Sequence, residues 1–312
     1  MTKAVLSALT RPLVEPRLPD WVEPRWFMSP EEAAKLAPDA EIGWFDFNEH
    51  APMVKAVREA GQLKWLNSIY AGLDFLPLDL LAERGTVVTN GAGINALTIA
   101  EYTVMLMLVQ AKRYDTVLRA RDRHEWLLDS PGKRELAGER VLLLGLGAIG
   151  SLVATRLEAF DMEVVPVRRS GADGALKPEE WREQLGTFDW VILAVPSTPE
   201  TKGMIGAEEL AAMKETAVLV NIARGDVIDQ DALVEALRTR SIEAALLDVT
   251  DPEPLPEGHP LWELENAQLS MHLSGRAQTK MFQRSADRFI ANLERFRAGE
   301  PLKPQMDLTL GY

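Results

Sequence analysis

The sequence predicts an α/β protein built from two doubly wound, Rossmann-like domains. Three observations carry that prediction. The length of 312 residues exceeds what one hydrophobic core usually holds. Strand-like and helix-like segments alternate through residues 29–69, and a second, longer alternation starts at residues 141–150, VLLLGLGAIG. Such alternation gives parallel βα units, in which ligands gather at the carboxyl ends of the strands.

Taken in order, residues 1–30 contain Pro12, Pro16, Pro19, Pro24 and Pro30, a pattern of short extended pieces joined by turns. Ser29 followed by Pro30 is a helix start, a capping hydroxyl with proline in the first turn, and it opens SPEEAAKL. The strand EIGWF, the helix PMVKAVREA and the strand LKWLNSI follow. The last strand runs into NSIYAGLD, residues 67–74. Glycine there can expose N–H groups to a bound carboxylate, or it can simply turn the chain, and spacing alone does not choose for Ala71 and Gly72. Asp74 reads as the cap of the next helix. Residues 86–113, TVVTNGAGINALTIAEYTVMLMLVQAKR, give a short strand, a glycine turn and a long helix apolar on most faces. That helix should be buried, with Met105 and Met107 filling core. The following RYDTVLRARDRHEW is charged and solvated, and His124 is a surface residue.

At residues 141–150 four apolar residues lead into Gly145, Gly147 and Gly150, the G-x-G-x-x-G spacing, and SLVATRLEAF continues as a helix. The first glycine permits the bend, the second lets a pyrophosphate approach the backbone, and the third lets helix and strand pack. The anion would sit on the free N–H groups of the helix start, among Leu146, Ala148 and Ile149. Five further strands, MEVVPVRRS, WVILAVPSTPETKGMI, TAVLVNIARGDVID, IEAALLDVTDPEPLP and AQLSMHLSG, alternate with helices such as PEEWREQL, AEELAAM and DALVEALR, up to about residue 275. A last amphipathic helix, about 278–298, is read as returning to the first domain.

The strand after the glycine loop discriminates between dinucleotides. Where an NAD site carries an acid for the ribose 2′-OH, this chain has Arg168, Arg169 and Ser170. Two guanidinium groups and a hydroxyl suit a 2′-phosphate, so NADP(H) is favoured over NAD(H), against the alternative of an exposed basic turn.

Three ionisable residues stand after later strands. Arg224 in NIARGD could polarise a carbonyl oxygen and hold a neighbouring carboxylate, Glu253 in DPEPLP could orient and charge a histidine, and His272 in SMHLSG could exchange a proton with a substrate oxygen. Singly, each could be a turn residue, a loop acid or a hydrogen-bonded histidine. Their shared position after strands of one nucleotide-binding sheet argues for joint use.

Composition narrows the partners. Forty-seven acidic and 34 basic residues give a net charge of -13, which repels nucleic acid and anionic membranes. With no cysteine, disulfides, thiolate catalysis and cysteine zinc sites are excluded, and no metal site is expected. The apolar run at 4–9 is short for a signal peptide and the one at 102–111 is short for a membrane span, so a cytoplasmic location is expected.

From about Leu63 onward the chain resembles the D-isomer-specific 2-hydroxyacid dehydrogenases. The motifs AGLD, TNGAGINALTIAEYTV, LLGLGAIG, LAVPSTPETKGMI, NIARGDVIDQDAL, LDVTDPEPLPEGHPLW and HLSG occur in the family's order. The resemblance implies a flavodoxin-like substrate domain from both chain ends, 1–98 and 282–312, and an inserted NAD(P)-binding Rossmann domain, 99–281, with a cleft between them and a homodimer made through the dinucleotide-binding domain. It implies that His272 is the general acid/base, Glu253 its partner and Arg224 the substrate-binding arginine, with Tyr70, Ala71 and Gly72 binding the substrate carboxylate. A carboxylate beside imidazole favours the protonated ring that carbonyl reduction needs. Asp248 would contact the nicotinamide carboxamide. The other implied cofactor neighbours are Thr103 on the long helix, then Val195, Pro196, Ser197, Thr201, Ile222, Ala223, His272 and Ser274. Two departures stand out: Arg168 replaces the acid of NAD-dependent members, and S-M-H replaces the usual T-P-H. The short chain without an added regulatory domain and the Arg-Arg-Ser turn look most like the glyoxylate/hydroxypyruvate reductase branch, which implies a 2-keto acid reductase. Phosphoglycerate dehydrogenase and a non-enzymatic, dinucleotide-sensing corepressor are the competing members of the same scaffold. The rings of Trp44, Phe45, Phe47 and Tyr70 are read mainly as core. His50 and His259 have no assignable partner.

Overall fold

The computed structural model describes residues 1–73, 75–171 and 174–308. Asp74, read above as a helix cap, lies outside them. The first half contains β1 (Thr2–Ser7), α1 (Arg11–Val14), β2 (Val22–Phe27), α2 (Pro30–Leu36), β3 (Ile42–Trp44), α3 (His50–Glu59), β4 (Trp65–Asn67), α4 (Leu78–Glu83), β5 (Val87–Thr89), α5 (Ala96–Lys112) and α6 (Tyr114–Asp122). The second contains β6 (Arg140–Leu144), α7 (Ala148–Glu158), β7 (Glu163–Val167), β8 (Trp190–Leu193), α8 (Ala207–Ala212), β9 (Val218–Asn221), α9 (Gln230–Thr239), β10 (Ala244–Leu247), β11 (Ala267–Leu269) and α10 (Met281–Ala298). Two compact units result: Met1–Asn95 with Gln278–Tyr312, and Ala96–Ala277. The chain thus crosses just before α5 and before α10, three and four residues earlier than the sequence-based boundaries.

The first unit has a five-stranded sheet, β2-β1-β3-β4-β5, the flavodoxin-like order. The proline-rich start holds more structure than expected: β1 is an interior strand, and Pro24 sits in β2 at the sheet edge, where a missing N–H is tolerated. Ser29 caps α2, its hydroxyl accepting from the Glu32 N–H at 3.2 Å, with Pro30 in the first turn. α10 returns to this unit. Phe289 lies 5.1 Å from the Trp44 ring and 5.0 Å from the Trp65 ring, and Ala286, Phe289 and Leu293 are fully buried. Trp44 and Phe45 are core, whereas Phe47 and Tyr70 are only partly buried against it.

The second unit has a six-stranded parallel sheet, β11-β10-β9-β8-β6-β7. The run VLLL of β6 is continuously apolar because both faces of the sheet are covered. Leu142 and Leu144 enter one core and Val141 and Leu143 the other. The chain leaves β6 for β7 on one side and then β8 on the other. The resulting switch point lies between the carboxyl ends of β6 and β8.

Two expectations fail. PEEWREQL forms turns and a 3-10 helix, Arg182–Thr187, rather than an α-helix. Its apolar residues Trp181 and Leu185 are buried, as is Phe188 beyond it, but Gly186 ends a pattern already too short for a stable α-helix. Met107 is core as read, but Met105 is 43% exposed on the outer face of α5. Among the described residues, no helix is long and apolar enough to cross a membrane.

Because Phe289 is the main contact of α10 with two buried indoles, Phe289→Ala should cost about 3–5 kcal/mol. Denaturant unfolding followed by tryptophan fluorescence measures this.

Candidate active site

The glycine loop joins β6 to α7. Gly145 has φ +104°, and a Cβ there would lie 2.5 Å from the Ala194 carbonyl oxygen at the end of β8. Only glycine allows both the conformation and that approach. At Gly150 a Cβ would lie 2.0 Å from the Gly145 carbonyl oxygen, so the third glycine lets the helix sit on the loop itself. At Gly147 a Cβ would meet open space. Leu146 and Ile149 anchor the loop on the core beneath, while Gly147 and Ala148 are exposed. No side chain caps α7, which leaves its first-turn N–H groups and dipole available to an anion.

After β7, Arg168, Arg169 and Ser170 form an exposed turn, with the Arg168 N–H donating to Leu176 O at 2.9 Å. No acid stands among them. Across from the turn, the Glu200 carboxyl is held below its ordinary value by the Thr198 hydroxyl, its own N–H and the charge of Arg169. The loop after β8 is folded on itself. Thr201 Oγ1 donates to Pro196 O at 2.7 Å and accepts from Thr198 N at 2.8 Å, and Ser197 Oγ donates to Asp226 at 2.7 Å. Val195 begins this loop against Gly145. Ile222 and Ala223, buried at the end of β9, follow the same backbone level, Ile222 N donating to Leu193 O.

Arg224 follows β9. Asn221 shapes its turn, accepting from Ala223 N at 3.0 Å and donating to Arg224 O at 2.9 Å. The next residue, Gly225, sits so close to Thr250 that a Cβ would lie 2.0 Å from its carbonyl carbon. That approach brings the β10 loop, with Glu253, alongside Arg224. His272 Nδ1 and Glu253 Oε2 are 2.7 Å apart. Desolvation pushes the Glu253 carboxyl up. The His272 hydrogen bond and charge, the Thr250 N–H and the charge of Arg224 outweigh it and leave the group below its ordinary value. With Nδ1 engaged, Nε2 is the ring nitrogen left for a substrate.

Asp248, only 3% exposed, builds the loop that carries His272. Its carboxylate accepts from Ser270 Oγ at 2.7 Å, Leu273 N at 3.1 Å, Ser274 N at 3.2 Å and Ser274 Oγ, and its carbonyl accepts from His272 N at 2.6 Å. Within this loop Met271 and His272 adopt left-handed φ values of +54° and +56°. Each such residue costs about 1–2 kcal/mol, and hydrogen bonds to a charged group contribute about 1.5–3 kcal/mol each, so the bonds to Asp248 outweigh the strain. The S-M-H departure is therefore structural: a proline, fixed near φ −65°, could not take the conformation of Met271. Thr103 is buried in α5 with its hydroxyl donating to Ile99 O at 2.8 Å.

In the first unit, the loop after β4 has its carbonyls tied back. Gly91 N donates to Tyr70 O at 2.7 Å and Asn90 Nδ2 to Ala71 O at 2.8 Å. Tyr70 spends its N–H on Ser68 Oγ at 3.1 Å and its hydroxyl on Phe47 O at 2.6 Å. The N–H groups of Ala71 and Gly72 make no hydrogen bond among the described residues, which is the arrangement an anion would complete.

Residues 104–274 match the D-isomer specific 2-hydroxyacid dehydrogenase, NAD binding domain family. The chain belongs to that family. Its second unit is accordingly the family's NAD(P)-binding domain, and the protein is an oxidoreductase of the 2-hydroxyacid dehydrogenase family. The glyoxylate reductase of Thermofilum pendens is 35% identical over 251 residues, 75% of this chain and 73% of that protein. The glyoxylate reductase/hydroxypyruvate reductase of Homo sapiens is 33% identical over 262 residues, 79% of this chain and 77% of its own. The D-3-phosphoglycerate dehydrogenase of Methanocaldococcus jannaschii is 33% identical, but the chain spans only 45% of its length. Among solved structures, a family member from Aeromonas salmonicida superposes with a TM-score of 0.88 at 28% identity, covering 98% of this chain and 99% of that one. One from Xanthobacter autotrophicus, in complex with NADPH and MES, gives 0.79 at 27% identity, covering 100% and 99%.

Within the dehydrogenase unit, Arg224, Glu253 and His272 are brought together as a group, the last two in direct contact. Among the described residues no three His, Asp or Glu side chains could hold a metal ion. His50 stacks on Phe75 with centroids 3.7 Å apart, and His259 meets Gln230 at 3.1 Å. Sequence reasoning missed Asn221, Asp226 and Asn90, which act on backbone and loop groups. Each stands inside a quoted motif, Asn221 and Asp226 at the two ends of NIARGD and Asn90 in TNGAGINALTIAEYTV, where its residue type alone did not mark its role.

Gly150→Ala should destabilise the dehydrogenase unit by about 1–3 kcal/mol through overpacking and abolish saturable binding of the reduced dinucleotide, as thermal unfolding and fluorescence titration with NADH and NADPH would read.

Proposed function

We propose that the protein reduces small 2-keto acids of the glyoxylate and hydroxypyruvate class to D-2-hydroxy acids, with NADPH preferred over NADH. The observation that carries this reading is the His272–Glu253 contact of 2.7 Å within reach of the charge of Arg224, at the carboxyl ends of the sheet. The substrate class is supported by the two reductases of which this chain covers most of the length.

NADPH, when bound, supplies the hydride. The uncapped first turn of α7 and open Gly147 fit its pyrophosphate, and Arg168, Arg169 and Ser170 fit its 2′-phosphate. Arg224 polarises the substrate carbonyl, and the N–H groups of Ala71 and Gly72 bind the substrate carboxylate. His272 gives the proton on Nε2 to the carbonyl oxygen as it becomes a hydroxyl. Glu253 holds the ring by Nδ1 and balances its positive charge before the proton leaves. Asp248 is read here as the builder of the His272 loop, because its carboxylate oxygens are already committed there.

A homodimer through the dehydrogenase unit is part of the same reading. Trp126 is 90% exposed and Leu128 97%, beside a depression of about 720 Å3 lined also by Val117 and Pro131, and such apolar surface marks an interaction face.

Steady-state assays with NADPH and NADH against glyoxylate and hydroxypyruvate test the activity, and absence of turnover with both acids would sink it. His272→Ala should lower kcat by about 10²–10⁴-fold while the Kd for NADPH stays within about twofold. The Arg168→Ala, Arg169→Ala double variant should raise the KM for NADPH by about 10–100-fold, the worth of charge-assisted bonds, with the KM for NADH unchanged. Trp126→Asp with Leu128→Asp should yield a monomer by light scattering.

A further inference from the structure

The loop proposed to bind the substrate carboxylate stands on a side chain outside it. Asp46 follows β3 by two residues, and its carboxylate accepts three hydrogen bonds. Oδ1 accepts from Ser68 Oγ at 2.6 Å, and Oδ2 accepts from Ile69 N at 2.7 Å and from Trp44 Nε1 at 2.6 Å. Ser68 passes the constraint on, since its Oγ accepts from Tyr70 N at 3.1 Å. The N–H groups of residues 69 and 70 are thereby turned toward Asp46 and Ser68. Those of Ala71 and Gly72, next along the chain, are the ones left open. On the other side Gly91 and Asn90 hold the carbonyls of Tyr70 and Ala71, and a Cβ at Gly91 would lie 1.8 Å from Ile69 O.

We propose that Asp46 is a positioning residue that sets the direction of the Ala71 and Gly72 N–H groups and so selects substrates carrying a carboxylate. The proposal rests on the reading of residues 71 and 72 as the carboxylate site. All three donors to Asp46 are neutral, and an ionised, acceptor-only carboxylate accepts all three bonds as they stand. Desolvation pushes the group up to about 6 against the pull of Ser68, Ile69 and Trp44, which still leaves it ionised at neutral pH. Trp44 Nε1 and Ile69 N lie in the interior, and donors there are costly to leave unpaired. No sequence motif points to Asp46; the fold alone brings it under the loop.

The test compares kcat/KM for glyoxylate with that for methyl glyoxylate, which lacks the carboxylate charge, in one preparation of each variant at neutral pH with saturating NADPH. The ratio cancels any loss of folded enzyme. Asp46→Ala should lower the acid-over-ester ratio about tenfold or more, and the milder Asp46→Asn and Ser68→Ala by about threefold or more, because each orphans or misdirects a loop donor. The Kd for NADPH should stay within about twofold in every variant, since the cofactor contacts belong to the other unit. A ratio unchanged in Asp46→Asn and Ser68→Ala, while the wild type strongly prefers the acid, would overturn the positioning role and leave the carboxylate reading standing. A wild type that reduces the ester as well as the acid would remove the carboxylate reading, and the proposal with it.

Discussion

The dehydrogenase unit depends on one buried carboxylate. Asp248 at the end of β10 gathers the N–H and hydroxyl groups of the loop after β11, and so holds Met271 and His272 in backbone conformations that neither would choose alone. Removing it would orphan several buried donors, at about 1–3 kcal/mol each, and would release the left-handed pair. The position of His272 is thus a property of the sheet rather than of the histidine. The contact with Glu253 then needs only the β10 loop to be alongside, and the bare approach of Gly225 to Thr250 provides that.

Close backbone approach recurs at the other loops. Gly145 against Ala194, Gly150 of α7 against the Gly145 carbonyl and Gly91 against Ile69 each hold two segments at a distance no side chain permits. In an open parallel sheet the strand ends would otherwise be the loosest part of the structure. Here these approaches tie them down, which suits groups that must be held before a ligand arrives.

Local patterns in the sequence made much of this legible. Parallel βα units, the glycine loop and the Ser29 cap follow from periodicity, turn chemistry and length, which permit the return of the last helix without requiring it. Arg224, Glu253 and His272 stood out as candidates because their residue types stand after strands, and the structure brings them together. What stayed hidden depends on pairing between distant segments. The fate of Met105 depends on which side of α5 is covered, which an all-apolar helix does not encode. PEEWREQL obeyed a helical period but had too few residues to enforce it. Asp248 was assigned to the cofactor by resemblance, and only the structure exhibits its bonds to Ser270, Leu273 and Ser274. Asp46 carries no motif, and Asn90 stands unmarked within TNGAGINALTIAEYTV, since each bonds a backbone group about twenty residues away.

The chemistry assigned to the site comes down to which group meets the substrate oxygen. A crystal structure of the protein with NADPH and oxamate, an unreactive 2-keto acid analogue, would answer this directly. The account predicts the oxamate carbonyl oxygen within hydrogen-bonding distance of His272 Nε2 and of the Arg224 guanidinium, with Nδ1 still on Glu253. Oxamate bound beside the cofactor with its carbonyl oxygen on any other residue, and His272 untouched, would contradict it.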